Sequence, residues 1–130
     1  MKKIVLLTLG LILGATGISA QQVADIKFTE TTIDVGTFPE NKTVEAVFNF
    51  TNTGSAPLVI HQAIASCGCT IPEFSKEPIL PGKSGTIKVT YDGTGKLPGK
   101  FQKSVTLRTN AKTELMRLYI KGDMEVKKSE

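Results

Sequence analysis

The chain has 130 residues, 40% of them hydrophobic, with a formal net charge of +4 and two cysteines. Two of the positive charges, Lys2 and Lys3, fall in a leader expected to be removed, which leaves +2. That near-neutral balance gives no case for nucleic acid as a partner, and the remaining length is one domain's worth.

The leader comes first. Lys2 and Lys3 form a short positive start, and Ile4 to Leu13 is apolar apart from Thr8 and Gly10. Small and apolar residues follow, ending in Ile18-Ser19-Ala20. This is the three-part pattern of a secretory signal over residues 1–20, with cleavage expected after Ala20 and a site after Gly17 as the alternative. The apolar run is shorter than the ~20 residues that span a bilayer, so no membrane insertion is expected of the processed chain. No cysteine lies near the cleavage site to carry a lipid. The expected location is the periplasm or the cell exterior. The domain expected is 21–130, long enough to bury about two-thirds of its extended surface in one core.

Beyond Gln21 no window reads as a helix. Period-two alternation recurs instead, punctuated by Gly, Pro and Asn. The first strand is expected over Ile26 to Val35, bent at Glu30-Thr31-Thr32 and ended by Gly36. The second, Val44 to Thr51, turns Val44, Ala46, Phe48 and Phe50 to one face. Asn52-Thr53-Gly54-Ser55 is turn chemistry. Leu58 to Ser66 is apolar on both faces and so expected to be central. Pro72, Pro78 and Pro81-Gly82 mark a long connection. Thr86 to Tyr91 points Ile87, Val89 and Tyr91 inward. Phe101 to Thr109 sets Phe101, Val105 and Leu107 against polar neighbours. Thr113 to Lys121 places Met116, Leu118 and Ile120 on one face, and the basic end Lys121 to Lys128 reads as a solvated tail. Six or seven short strands, each with one apolar face, predict an all-β sandwich of two antiparallel sheets. The absence of Trp, and of a cysteine pair a domain's length apart, gives no indication of an antibody-type core.

Cys67-Gly68-Cys69 is the one chemically suggestive feature. In a straight strand, residues two apart lie about 6.5 Å apart on one face. A disulfide prefers about 5.5–6 Å, and glycine allows the chain to shorten the gap at a cost in strain. Three readings follow. The pair is a redox-active dithiol, a two-thiolate metal site for zinc or copper, or a structural pair shaping a corner. A lone C-x-C lacks the second pair that makes zinc patterns specific. His61 is the only histidine, but six strand residues separate it from Cys67 by about 20 Å. They meet only if the chain folds back or across a dimer, so His61 reads as a sheet-surface residue. No cofactor and no catalytic residues are expected.

Other apparent motifs dissolve. Gly82-Lys83-Ser84 resembles the end of a phosphate loop, but the required earlier glycine is Glu77. Gly93-Thr94-Gly95-Lys96-Leu97-Pro98 has Pro where a nucleotide fingerprint needs Gly. Both read as turns. Asn41-Lys42-Thr43 and Asn49-Phe50-Thr51 match glycosylation acceptors by chance.

The order of landmarks carries a resemblance. Phe28-Thr29-Glu30-Thr31-Thr32-Ile33-Asp34-Val35-Gly36 opens the series, followed by Phe48-Asn49-Phe50-Thr51-Asn52-Thr53-Gly54 and Pro57-Leu58-Val59-Ile60. Ser66-Cys67-Gly68-Cys69-Thr70 and Ile79-Leu80-Pro81-Gly82 come next, then Tyr91, Gly99-Lys100-Phe101 and Thr109-Asn110. Over nearly the whole processed chain this resembles the secreted bacterial family catalogued as domain of unknown function 1573. The resemblance implies an immunoglobulin-like sandwich of about seven strands. More loosely it is similar to the major-sperm-protein type and to Ig-like domains of cilia and centrosomes, which are binding and scaffolding modules. The family implies no settled activity. The expectation is therefore a non-catalytic protein-interaction module, with a thiol-redox or metal-binding protein acting through Cys67 and Cys69 as the alternative.

Overall fold

Alternating apolar side chains give each strand one face that must be covered, and two facing sheets cover them together. A computed structural model describes residues 22–126. The expected signal segment and its cleavage site lie outside these residues. The described residues form eight strands: β1 (Ile26–Phe28), β2 (Thr32–Pro39), β3 (Thr43–Asn52), β4 (Ile60–Ala65), β5 (Thr70–Phe74), β6 (Ser84–Asp92), β7 (Gly99–Thr109) and β8 (Leu115–Glu125). They form two four-stranded sheets, β1-β3-β6-β5 and β2-β8-β7-β4. The fold is the expected all-β sandwich with one strand more than expected. The pairings are antiparallel except for β2 against β8, which is parallel.

Between the sheets, Phe48, Ile87, Val89, Val105, Leu107, Leu118 and Ile120 are almost wholly buried. These are the inward positions that the alternation marks. One end of the core is aromatic. Tyr91 of β6 stacks on Phe101 of β7 at 4.0 Å between ring centres, and Phe38 of β2 sits edge-on to Phe101 at 5.8 Å. That cluster ties one sheet to the other.

Several elements depart from the sequence reading. The bend at Glu30-Thr31-Thr32 is a full crossing: β1 belongs to one sheet and β2 to the other. Gly36 does not end the strand. It takes φ +79°, a backbone that glycine adopts without steric cost, at the place where the β2–β8 register slips between Asp34 and Thr37. The strand then resumes and buries Phe38. The segment from Leu58 is not central. β4 is an edge strand that pairs with β7 alone, with small residues, Ala63 and Ala65, turned inward and Ile64 turned to solvent. The connection after Cys69 contains β5. The supposed solvated tail continues β8 to Glu125, with Met124 buried. Both glycine-rich look-alikes are turns. Lys83 N–H bonds the Leu80 carbonyl at 2.9 Å with Gly82 at φ +80°, and Lys96 N–H bonds Gly93 at 3.0 Å with Gly95 at φ +75°.

The polar end opposite the aromatic cluster is held by two asparagines. Asn52 is fully buried and donates through Nδ2 to the carbonyls of Ala56 and Ile79, both at 2.8 Å. Its Oδ1 accepts from Gly54 N–H at 2.9 Å. Asn110 does the same for the start of the next segment, accepting from Val59 N–H at 2.7 Å and donating to Pro57 at 3.0 Å. Each side chain supplies hydrogen bonds to loop peptides at the ends of the strands.

Candidate functional site

Two features stand at one side of the sandwich, and one chain segment joins them. β4 is an edge of one sheet, β5 is an edge of the other, and Ser66-Cys67-Gly68-Cys69 carries the chain between them. Thr70 N–H bonds the Cys67 carbonyl at 3.1 Å and closes a four-residue turn. The Cys69 carbonyl in turn accepts from Asp92 N–H at 2.8 Å, which pins the corner to β6.

Within that turn the sulfurs of Cys67 and Cys69 lie at disulfide distance, with Cα atoms 5.3 Å apart. The turn, rather than an unusual glycine conformation, brings them together. Gly68 is outside the left-handed region, and a Cβ there would meet nothing within 4 Å. The two cysteines differ in surroundings. Cys69 is 7% exposed and belongs to the core, while Cys67 is half-buried. Cys67 Sγ accepts the Cys69 N–H at 3.0 Å, and Cys69 Sγ lies 3.7 Å from Thr70 Oγ1. Close by, Tyr91 pairs with Thr70 across β5 and β6, and burial raises its phenol above the ordinary value, with Asp92 adding to the effect.

His61 is not part of this corner. It is exposed at the other end of β4, beside Arg108, Asn110 and Glu114. No group of three or more His, Cys, Asp or Glu residues able to hold a metal occurs among the described residues.

The sheet edges differ in how they are guarded, which sequence reading does not reveal because it needs the register. An antiparallel strand turns the peptide groups of alternate residues toward its neighbour. Asp92 N–H bonds Cys69, so Ile71 and Glu73 also face β6, and Thr70, Pro72 and Phe74 face outward. Pro72 therefore sits where an outward N–H would be, and the β5 edge lacks a donor. β1 is three residues long and carries Lys27. β2 carries Asp34, the Gly36 bulge and Pro39. These are the usual devices that stop an edge from pairing.

β4 has little of this. Its register slips only near its start, between Ile60 and Gln62, and it contains no Pro, Lys, Arg, Asp or Glu. Ser66 N–H bonds the Ser104 carbonyl at 2.8 Å, so Gln62 and Ile64 also face β7. The peptide groups of Ala63 and Ala65 are consequently the ones turned outward. Beside them on the outer face stands Ile64, 52% exposed. This signal is present in the sequence as a strand without charges, but it reads there as a buried central strand.

The all-β sandwich of two four-stranded sheets is a fold this chain shares with other solved β-domains. A family model described as "Protein of unknown function (DUF1573)" matches residues 26–124, and the chain belongs to that family. A search of curated proteins finds no match. Among solved structures, a protein of unknown function from Porphyromonas gingivalis W83 is similar at TM-score 0.68 and 19% identity, over 82% of this chain and 50% of that one. The chain thus spans about half the length of that protein. PapD-like domain 7 of human CEP192 is similar at TM-score 0.64 and 10% identity, over 82% of this chain and 89% of that one. The periplasmic chaperone SfaE is similar at TM-score 0.57 and 12% identity, over 80% and 60%. At these identities the likeness is one of fold.

Proposed function

We propose that this chain is an exported, non-catalytic protein-interaction module whose single domain, 21–130, engages other proteins by strand addition at a sheet edge. The observation that carries the reading is the β4 edge, which offers paired outward donors and acceptors at Ala63 and Ala65 beside exposed Ile64. A chaperone and a PapD-like domain among the structural neighbours support an interaction role, and the periplasmic location of that chaperone supports export, together with the signal pattern at residues 1–20. On this reading the disulfide corner is structural, fixing the join between β4 and β5. The test is cross-linking of the processed protein in its own cells, followed by comparison with a Cys67→Ser/Cys69→Ser double variant. Partner capture is expected to survive the double substitution. Loss of every partner in that variant would count against the reading.

One observation favours a second reading, thiol–disulfide exchange. The Cys69 N–H points at Cys67 Sγ and would stabilise a Cys67 thiolate, while Cys69 stays buried. Once a donor dithiol has reduced the Cys67–Cys69 bond and itself become a disulfide, Cys67 would attack a partner disulfide, releasing one partner thiolate. Cys69 would displace the partner's second thiol from the mixed disulfide and restore the Cys67–Cys69 bond. Alkylation of the reduced protein separates the readings: rapid, selective modification of Cys67 at neutral pH supports exchange chemistry, and a pair that reacts only after unfolding supports the structural role.

A further inference from the structure

We infer that the β4 edge pairs with the β4 edge of a second copy of this chain, antiparallel about Ile64. The inference rests on the reading of the chain as an interaction module and names the partner. It follows from the self-complementarity of the strand. When two copies of β4 run antiparallel with Ile64 facing Ile64, Ala63 of each lies opposite Ala65 of the other. These are the residues whose N–H and C=O groups point outward, so two hydrogen-bonded pairs form, four bonds in all. Offset by one residue in either direction, the pairing keeps fewer of these groups and separates the two isoleucines.

The side chains agree with the backbone. The two Ile64 residues meet in the non-hydrogen-bonded position, where antiparallel side chains approach most closely. Each is 52% exposed in the single chain. Gln62 then faces Ser66 of the second copy, and the strand brings no charge to the twofold axis. A strand edge that carries Lys or Asp repels its own image; this one does not. The other edges fail the same test. Pro72 removes a donor from β5, Lys27 would face or flank its own image on three-residue β1, and β2 is bulged at Gly36. The result is one continuous eight-stranded sheet, β2-β8-β7-β4 joined to its twofold copy.

Sedimentation velocity on the processed protein over a range of concentrations tests this. A reversible monomer–dimer equilibrium is expected. Ile64→Lys places like charges at the axis, and Ala63→Pro removes an outward donor without touching the β4–β7 ladder. Each should weaken dimerisation at least tenfold while the far-UV circular dichroism of the monomer is unchanged. Ile64→Cys should form an intermolecular disulfide on mild oxidation. Val47→Cys and Ile71→Cys, at positions 47% and 50% exposed on the other sheet, should not. A monomer at every concentration, a dimer indifferent to Ile64→Lys, or equal cross-linking at all three positions overturns the inference. If the monomer still binds extended peptides along β4, and Ile64→Lys abolishes that binding, self-pairing fails and the interaction-module reading stands. If neither dimer nor peptide binding occurs, both fail.

Discussion

At the scale of single residues, the side chains that hold the molecule together are not its cysteines. Asn52 sits at 0% exposure and its amide donates to two carbonyls, those of Ala56 and Ile79. Asn52→Ala takes the donor from the Ala56 carbonyl and one of two donors from the Ile79 carbonyl, which keeps Leu58 N–H at 2.8 Å, and should cost about 1–3 kcal/mol, read as a shift in the urea midpoint. Asn52→Asp should be at least as harmful, because it points a carboxylate at the same two carbonyls. The cysteine corner behaves otherwise. A bond between residues two apart closes a loop so short that its entropic contribution is about 1.5 kcal/mol. Unfolding with and without reductant should differ by no more than roughly that amount. Gly68→Ala should be near neutral, since the position is open and outside the left-handed region. Asp92 has a pH signature of small size. Hydrogen bonds from the Thr94 hydroxyl and then its amide, the latter at 3.0 Å, hold the carboxyl below its ordinary 3.8. A depressed folded value means that the contribution is complete above the unfolded value and is lost as pH falls through the folded one. The group is solvent-exposed, so Asp92→Asn should flatten only the acid limb of the stability profile, and only slightly.

At the scale of elements, the sequence is legible where a strand has one wet and one dry face. β3, β6 and β7 announce themselves through Ala46, Phe48 and Phe50, through Ile87, Val89 and Tyr91, and through Val105 and Leu107. Pattern fails at the edges, because an edge residue answers to register rather than to burial. Pro72 reads as a strand breaker, yet it sits in β5 because its nitrogen faces outward. Ile64 reads as core and is solvent-exposed. Gly122 reads as the start of a tail, but it is a glycine for packing. A Cβ there would lie 2.7 Å from Val35 Cγ2, 3.0 Å from Phe101 Cε1 and 3.1 Å from the Gly36 carbonyl. Gly122→Ala should therefore push β2 from β8 and cost about 1–3 kcal/mol, with amide exchange rising across β2 before it rises elsewhere. As for the candidate site, the cysteines were evident from their spacing. Their unequal burial and the asymmetric N–H contact to Cys67 were not, since both depend on the turn and on β6 beneath it.

At the scale of the whole molecule, the two sheets are joined by the buried side chains between them and by chain crossings at both seams. One end of that core is aromatic, with Tyr91, Phe101 and Phe38 drawn from three strands and two sheets. Phe101→Ala removes the centre of that cluster and should cost about 3 kcal/mol, with near-ultraviolet dichroism from Tyr91 collapsing before far-ultraviolet signal is lost. The parallel pair β2–β8 also governs the order of assembly in time. Thr32 finds its partner at Tyr119, 87 positions later. The earliest part of this sheet waits for the latest part of the chain, so neither half can reach its native arrangement alone. Such a topology predicts a slow, all-or-none refolding in the millisecond-to-second range and a fragment ending before β8 that gains no protection from exchange. A chain that stays open until its last strand arrives is also one that an export channel can thread before it locks.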